Sequence, residues 1–155
     1  MEANKLLVVL RIRGEVKVRE TVEDTLDMLR LYHKNYCSLV YATPSSIGMI
    51  TKVKDYVTFG EADEAIVVEL LQKRGKITAD KALTEAHVKM TFKEMAQLLI
   101  SGKKSLKDFE GVRPFFRLQP PRGGFERAGI KHNFAEGGAL GYRKDKINGL
   151  VRKML

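Results

Sequence analysis

Apolar residues recur along this chain with two different periods, and the switches between them mark out its elements. The run from Leu6 to Arg13 is apolar and β-branched and stops at Gly14, which predicts a strand. Its second half alternates Leu10, Arg11, Ile12, Arg13, so one face is expected to be buried and the other cationic. Helical spacing begins at Thr21. Val22, Leu26 and Leu29 share a face, Thr21 and Asp24 resemble a capping box, and the stretch ends near Lys34-Asn35. Tyr36 to Ala42 reads as a second strand. Thr43-Pro44-Ser45-Ser46 stops it and caps a helix with Ile47, Ile50, Val53 and Val57 on one side, Lys52 and Lys54 lying off that stripe. Tyr56 to Phe59 suggests a short third strand closed by Gly60. Strand–helix–strand–helix–strand within about sixty residues predicts an α+β layer, with helices on one face of a small sheet.

The pattern then turns helical. Asp63 is placed to cap a helix carrying Ile66, Val67, Leu70 and Leu71, with Lys73-Arg74-Gly75 at its end. Thr91-Phe92-Lys93-Glu94 is a full capping box ahead of Met95, Leu98 and Leu99, and that helix closes at Gly102. Ser105 to Phe109 reads as one further turn. Beyond Arg113 regularity fades: Pro114 to Leu118 suggests a short strand, and Pro120-Pro121-Arg122-Gly123-Gly124 cannot be regular. Glu136 to Gly141 reads as flexible. A terminal helix over Asp145–Leu155 shows Ile147, Leu150, Val151 and Met154 on one side. The glycine content predicts that residues 120–143 are mobile in the free protein and order on a partner.

Charge sharpens the division. The whole chain of 155 residues carries +9, but residues 113–155 hold ten Lys or Arg against three acids, together with seven of the thirteen glycines. The first 112 residues are nearly balanced, so polyanion binding is expected of the C-terminal part. Cys37, the only cysteine, excludes an internal disulfide, and its apolar surroundings predict a buried, inert thiol. The apolar run near the N-terminus is too short to cross a bilayer, so the sequence reads as cytoplasmic, without membrane contact.

Catalytic chemistry is not visible. His33, His87 and His132 fall in unrelated segments, none at metal-ligand spacing. Gly75-Lys76 and Gly102-Lys103 superficially match the end of a phosphate-binding loop, but Leu70 and Gln97 stand where its first glycine is required. The cluster Gly137–Gly141 has no preceding strand, and Glu61, Asp63 and Glu64 read as helix-end acids. Arg122 to His132 instead combines cations, glycines and an aromatic, and Tyr142-Arg143-Lys144 repeats the theme. Glycine admits close phosphate approach, arginine pairs with phosphate oxygens and an aromatic stacks on an unpaired base. RNA is therefore the expected ligand, with a solvated basic loop as the plainer reading.

Arg11-Ile12-Arg13-Gly14, Thr43 to Val53, Lys73-Arg74-Gly75, Pro120 to Gly124, Glu136-Gly137-Gly138 and Tyr142 to Asn148 form an ordered set. In these motifs, and over essentially its whole length, the chain resembles the universal large-subunit ribosomal protein family numbered thirty in bacteria and seven in eukaryotes, in its archaeal form. The resemblance implies a ferredoxin-like core over residues 1–60, with a three-stranded antiparallel sheet and two helices on one face. It further implies a helical extension over 61–112 and a basic, Gly-rich RNA-binding extension over 113–155. The implied partners are large-subunit rRNA, the 5S rRNA region and neighbouring large-subunit proteins, with no cofactor, small-molecule substrate or catalysis. Eukaryotic members carry Trp-Gly after the third strand, where this chain has Phe59-Gly60, and they begin with a basic arm absent here. The residues nominated for phosphate contact are Arg11, Arg13, Lys52, Lys54, Arg74, Arg122, Arg127, Lys131, Arg143 and Lys144. Phe125 and His132 are nominated for stacking, and Gly123, Gly124, Gly137 and Gly138 for close backbone approach. The alternatives are a stand-alone RNA-binding chaperone or regulator and, less well supported, a small nucleotide-dependent enzyme.

Overall fold

A computed structural model describes residues 4–155. The elements run β1 (Leu6–Arg11), α1 (Glu20–Met28), β2 (Tyr36–Tyr41), α2 (Pro44–Lys52), β3 (Val57–Glu61) and α3 (Glu64–Arg74). They continue with α4 (Glu85–Val88), α5 (Phe92–Ile100), β4 (Phe115–Arg117), β5 (Gly141–Tyr142) and α6 (Ile147–Met154). Short 3-10 turns lie at Leu106–Asp108, Phe134–Glu136 and Lys144–Lys146. The fold is α+β, and the sheet is five-stranded and mixed, in the order β4-β2-β1-β3-β5, where the family resemblance implies three antiparallel strands in the core and the residue pattern adds a short strand over 114–118. Strand β1 runs antiparallel to β2 and β3, and β4 antiparallel to β2. The fifth strand, β5, pairs parallel to β3 through Thr58–Gly141 and Phe59–Tyr142. Both outer strands come from the basic C-terminal stretch.

The two helices of the first sixty residues, α1 and α2, lie on one face of this sheet, and helices from the later part of the chain cover the other. Leu7 and Val9 of β1 pack with Leu26 and Leu29 from the α1 region and with Ile50 and Val53 from the α2 region. On the other face Leu6, Val8 and Leu10 pack with Ile66, Val67, Leu70 and Leu71 of α3, Met95 and Leu99 of α5, and Leu150 and Val151 of α6. A central strand covered on both sides has no solvent face, which is why Leu6 to Leu10 is uniformly apolar. All six β1 residues are buried, Arg11 included. The cationic face expected from the Leu10–Arg13 alternation does not exist at Arg11.

Local signals explain most boundaries. Thr43 caps α2 in a reciprocal box with Ser46, and Thr91 caps α5 with Glu94. Thr21, in contrast, lies inside α1, whose N-cap is Arg19 with no side-chain bond. Asp63 is the N-cap of α3 but makes no side-chain cap either; its backbone N–H donates to Oδ1 of Asn148 at 3.2 Å. Buried Asn148 also donates to the Glu61 and Asp145 carbonyls, at 3.1 and 2.9 Å, tying α6 to the end of β3. Gly60 makes that crossing feasible: a Cβ there would lie 2.0 Å from the Lys144 carbonyl oxygen and 2.8 Å from Ile147 Cγ2. Cys37 is fully buried, and burial pushes its thiol up to about 12, as its apolar setting predicts.

Candidate nucleic-acid interface

The segment from Pro120 to Tyr142 is the least regular part of the chain, yet it has a defined course. Arg122 N–H donates to the Lys153 carbonyl at 2.9 Å and Gly124 N–H to Pro121 at 3.0 Å. Ala128 N–H reaches the Gly137 carbonyl at 3.2 Å, and Phe134 N–H the Leu140 carbonyl at 2.7 Å. A small apolar cluster of Ile12, Ala139 and Leu140, with Phe125 and Ile130 against it, anchors the segment beside the end of β1. These bonds give the segment a folded course that its glycine content does not predict.

One buried side chain organises the segment. The Arg143 side chain is 2% exposed and forms a bidentate ion pair with Glu126, its Nη2 donating to Oε2 at 2.7 Å and its Nη1 to Oε1. Its Nε donates to Thr58 Oγ1 at 2.7 Å and its Nη2 to the Ala139 carbonyl at 2.8 Å. The guanidinium also lies 4.7 Å from the Phe134 ring centre. Strand β3 and both halves of the glycine-rich segment are thus held by one cation. Burial pushes the Glu126 carboxyl up, but the Arg143 hydrogen bonds and charge outweigh it, and the group sits below the usual carboxylate range.

The nominated contacts therefore divide. Arg143 cannot serve as a phosphate ligand, because its donors are committed inside the protein. Arg11 is fully buried and donates to four main-chain carbonyls, those of Arg13, Gly14, Leu31 and Tyr32, at 2.7–3.3 Å. It fastens the β1 exit to the α1–β2 connection, so it too is withdrawn from RNA. Arg74 is half-buried and its Nη2 bonds the Leu155 carbonyl at 2.7 Å. Gly138 is buried, and a Cβ there would lie 2.1 Å from the His132 carbonyl oxygen, so the close approach it permits is to protein and not to phosphate. Phe125 is half-buried and packs against two apolar clusters.

The remaining nominees line the surface. Arg122, Gly123, Gly124, Arg127, Lys131, His132, Gly137, Lys144, Lys52 and Lys54 are exposed. Three shallow depressions follow the segment. Gly123, Gly124, Phe125 and Phe134 line the first with Lys146 and Lys153. Phe134 is shared with the second, where Lys54 and Thr51 from the C-terminal end of α2 face Asn133, Gly141 and Tyr142. Arg13 and Lys131 meet in the third beside Tyr56, whose ring centre lies 5.1 Å from the Arg13 guanidinium. Lys146 and Lys153 were missed in the sequence. They stand seven residues apart, Lys146 at the N-cap of α6 and Lys153 in its last turn, which places both along one flank of the apolar stripe that identifies the helix. Among the described residues Arg122, Arg127, Lys131, Lys144 and Lys153 form no ion pair, while Glu126 is already taken by Arg143.

A mixed sheet covered by helices carries unpaired cations along a glycine-rich margin, a continuous surface of positive charge. The profile of the family described as ribosomal protein L30p/L7e matches residues 7–57, the span from β1 to the start of β3. Full-length similarity extends to proteins named large ribosomal subunit protein uL30. That of Nanoarchaeum equitans is 49% identical over 154 residues, covering 97% of this chain and 99% of its own. That of Methanococcus maripaludis is 47% identical over 151 residues, covering 95% and 97%, and that of Methanopyrus kandleri 43% over 149 residues, covering 93% and 100%. The chain belongs to the uL30 family of large-subunit ribosomal proteins, in its archaeal form.

Proposed function

We propose that this protein is a structural constituent of the large ribosomal subunit that binds and stabilises ribosomal RNA. Residues 1–60 and 61–112 supply a rigid body, and residues 113–155 supply most of the RNA surface. The observation that carries this is the row of unpaired cations, Arg122, Arg127, Lys131, Lys144 and Lys153, with Lys146 beside them, displayed around a segment whose Glu126 carboxylate is neutralised by Arg143. Lys52, Lys54 and Arg13 extend the row onto the core, and His132, Gly123, Gly124 and Gly137 lie exposed along it. Such a surface tracks phosphates and RNA shape more than base sequence. Its partners are large-subunit rRNA, the 5S rRNA region and adjoining large-subunit proteins, in the cytoplasm, and its role is structural, not catalytic. A stand-alone RNA chaperone would share the surface but not the full-length match to named subunit proteins.

Binding through phosphates releases counterions. The affinity of the purified protein for large-subunit rRNA is expected to fall with a log–log salt slope of about −4 to −6, reflecting roughly five to seven neutralised phosphates. Filter binding across a salt series reads that slope. A slope near zero would show that the cationic row is not the binding surface.

A further inference from the structure

We propose that the opposite edge of the sheet carries a second RNA contact, a stacking platform for an unpaired base. The proposal rests on the RNA-binding reading above and assigns it a second locus. Strand β4 lies four strands away from β5, about 19 Å at ordinary strand spacing, so the two surfaces occupy opposite margins of one rigid sheet. Tyr36 of β2 stands across from Arg117 of β4, and Ser38 across from Phe115. The Tyr36 and Phe115 rings stack with centroids 5.4 Å apart and planes 10° from parallel. Arg117 lies over Tyr36 at 5.8 Å, and Tyr32 meets Phe115 edge-on at 5.5 Å.

These rings are not simply core. Neither Tyr32 nor Phe115 belongs to an apolar cluster, and Tyr32 is 38% exposed. Their support is nevertheless rigid. Phe115 and Tyr36 sit on paired strands, and buried Arg11 holds the carbonyls of Leu31 and Tyr32, the loop that presents the Tyr32 ring. A second observation points to a polar ligand. Ser38 Oγ is buried without a hydrogen-bond partner and lines the adjoining cleft with Arg30. A base stacked on Tyr32 would bring edge donors and acceptors to that cleft, while Arg30, Lys34 and Arg117 are placed for the flanking phosphates. Of the carboxylates near this end, Glu15, Glu23 and Asp27, Glu15 is paired with His33, whose ring meets Tyr36 edge-on at 5.2 Å.

The test uses labelled oligoadenylate as the single-stranded probe and large-subunit rRNA as the reference, both with the full chain. The chain has no Trp and five Tyr, so the difference in tyrosine quenching between wild type and a Tyr32 variant, each scaled to its own unbound emission, reports stacking at Tyr32. Tyr32→Ala is expected to weaken oligoadenylate binding about tenfold and to reduce the quenching, while Tyr32→Phe stays within about twofold of wild type. Arg122→Ala with Arg127→Ala should weaken rRNA binding and leave the Tyr32-dependent part of the oligoadenylate quenching in place. If the wild type holds rRNA but oligoadenylate does not bind, or binds Tyr32→Ala equally well, the platform is overturned and the RNA-binding reading stands. If the wild type binds neither RNA, both fail.

Discussion

Arg143→Ala is expected to lower the unfolding free energy by about 2–4 kcal/mol, somewhat under the usual range for breaking a fully buried ion pair because the Glu126 carboxylate keeps partial access to water. The variant leaves the Glu126 carboxylate, Thr58 Oγ1 and the Ala139 carbonyl without their shared donor, and it opens a void beneath Phe134. Hydrogen exchange should then show lost protection first at Phe134 and Leu140, whose amides close the glycine-rich segment. Unfolding in denaturant gives the magnitude. The pH dependence gives the sign. Because the folded state holds Glu126 below its ordinary range, its contribution is complete above the unfolded carboxylate pKa and is lost as pH falls through the lowered folded value. Glu126→Gln should flatten that acid limb. A variant with wild-type stability and unchanged exchange would show that Arg143 is not the element holding the segment.

Joint replacement of Arg122, Arg127, Lys131 and Lys153 by alanine should reduce rRNA affinity by about two orders of magnitude at moderate salt. The log–log salt slope should become shallower by about 3 to 4 units, one for each phosphate contact removed. All four side chains are exposed and unpaired, so the unfolding transition should shift little, within roughly 0.5 kcal/mol per substitution. That separation of affinity from stability distinguishes these cations from Arg143 and Arg11. Affinity and slope equal to wild type would move the RNA surface elsewhere on the molecule.

The contrast among the arginines shows where the sequence is informative and where it is not. Helix α5 and helix α6 are legible because their apolar positions recur at helical spacing, and the boxes at Thr43 and Thr91 are short-range chemistry written within four residues. Arg11 was misjudged because alternation with Leu10 and Ile12 implies a solvent face, while the real cover at that end comes from the α1–β2 connection some twenty residues away. A guanidinium satisfied by carbonyls looks identical, in sequence, to one awaiting a phosphate. Strand β5 is two residues long and has no period to detect, and its place depends on Thr58 and Phe59 of β3. Gly138 reads as loop glycine, but its need for the missing side chain arises from the His132 backbone. Lys146 and Lys153 are readable from their seven-residue spacing, which sets both on one flank of the apolar stripe of α6.

Burying Arg143 and Arg11 also changes how the interface is understood. The cations proposed to touch RNA are displayed by a scaffold that is itself held by cations, and the two kinds should respond differently to salt. Surface contacts weaken as counterions compete, whereas the buried pair is largely shielded from them. The glycine-rich margin should therefore keep its shape under conditions that release RNA.

The most direct test of the account is sedimentation of native extract on a sucrose gradient, with the protein followed before and after a high-salt wash. The account predicts that it travels with the large subunit at moderate salt and leaves that fraction only as salt rises. Finding it at the top of the gradient at moderate salt would contradict a structural place in the subunit.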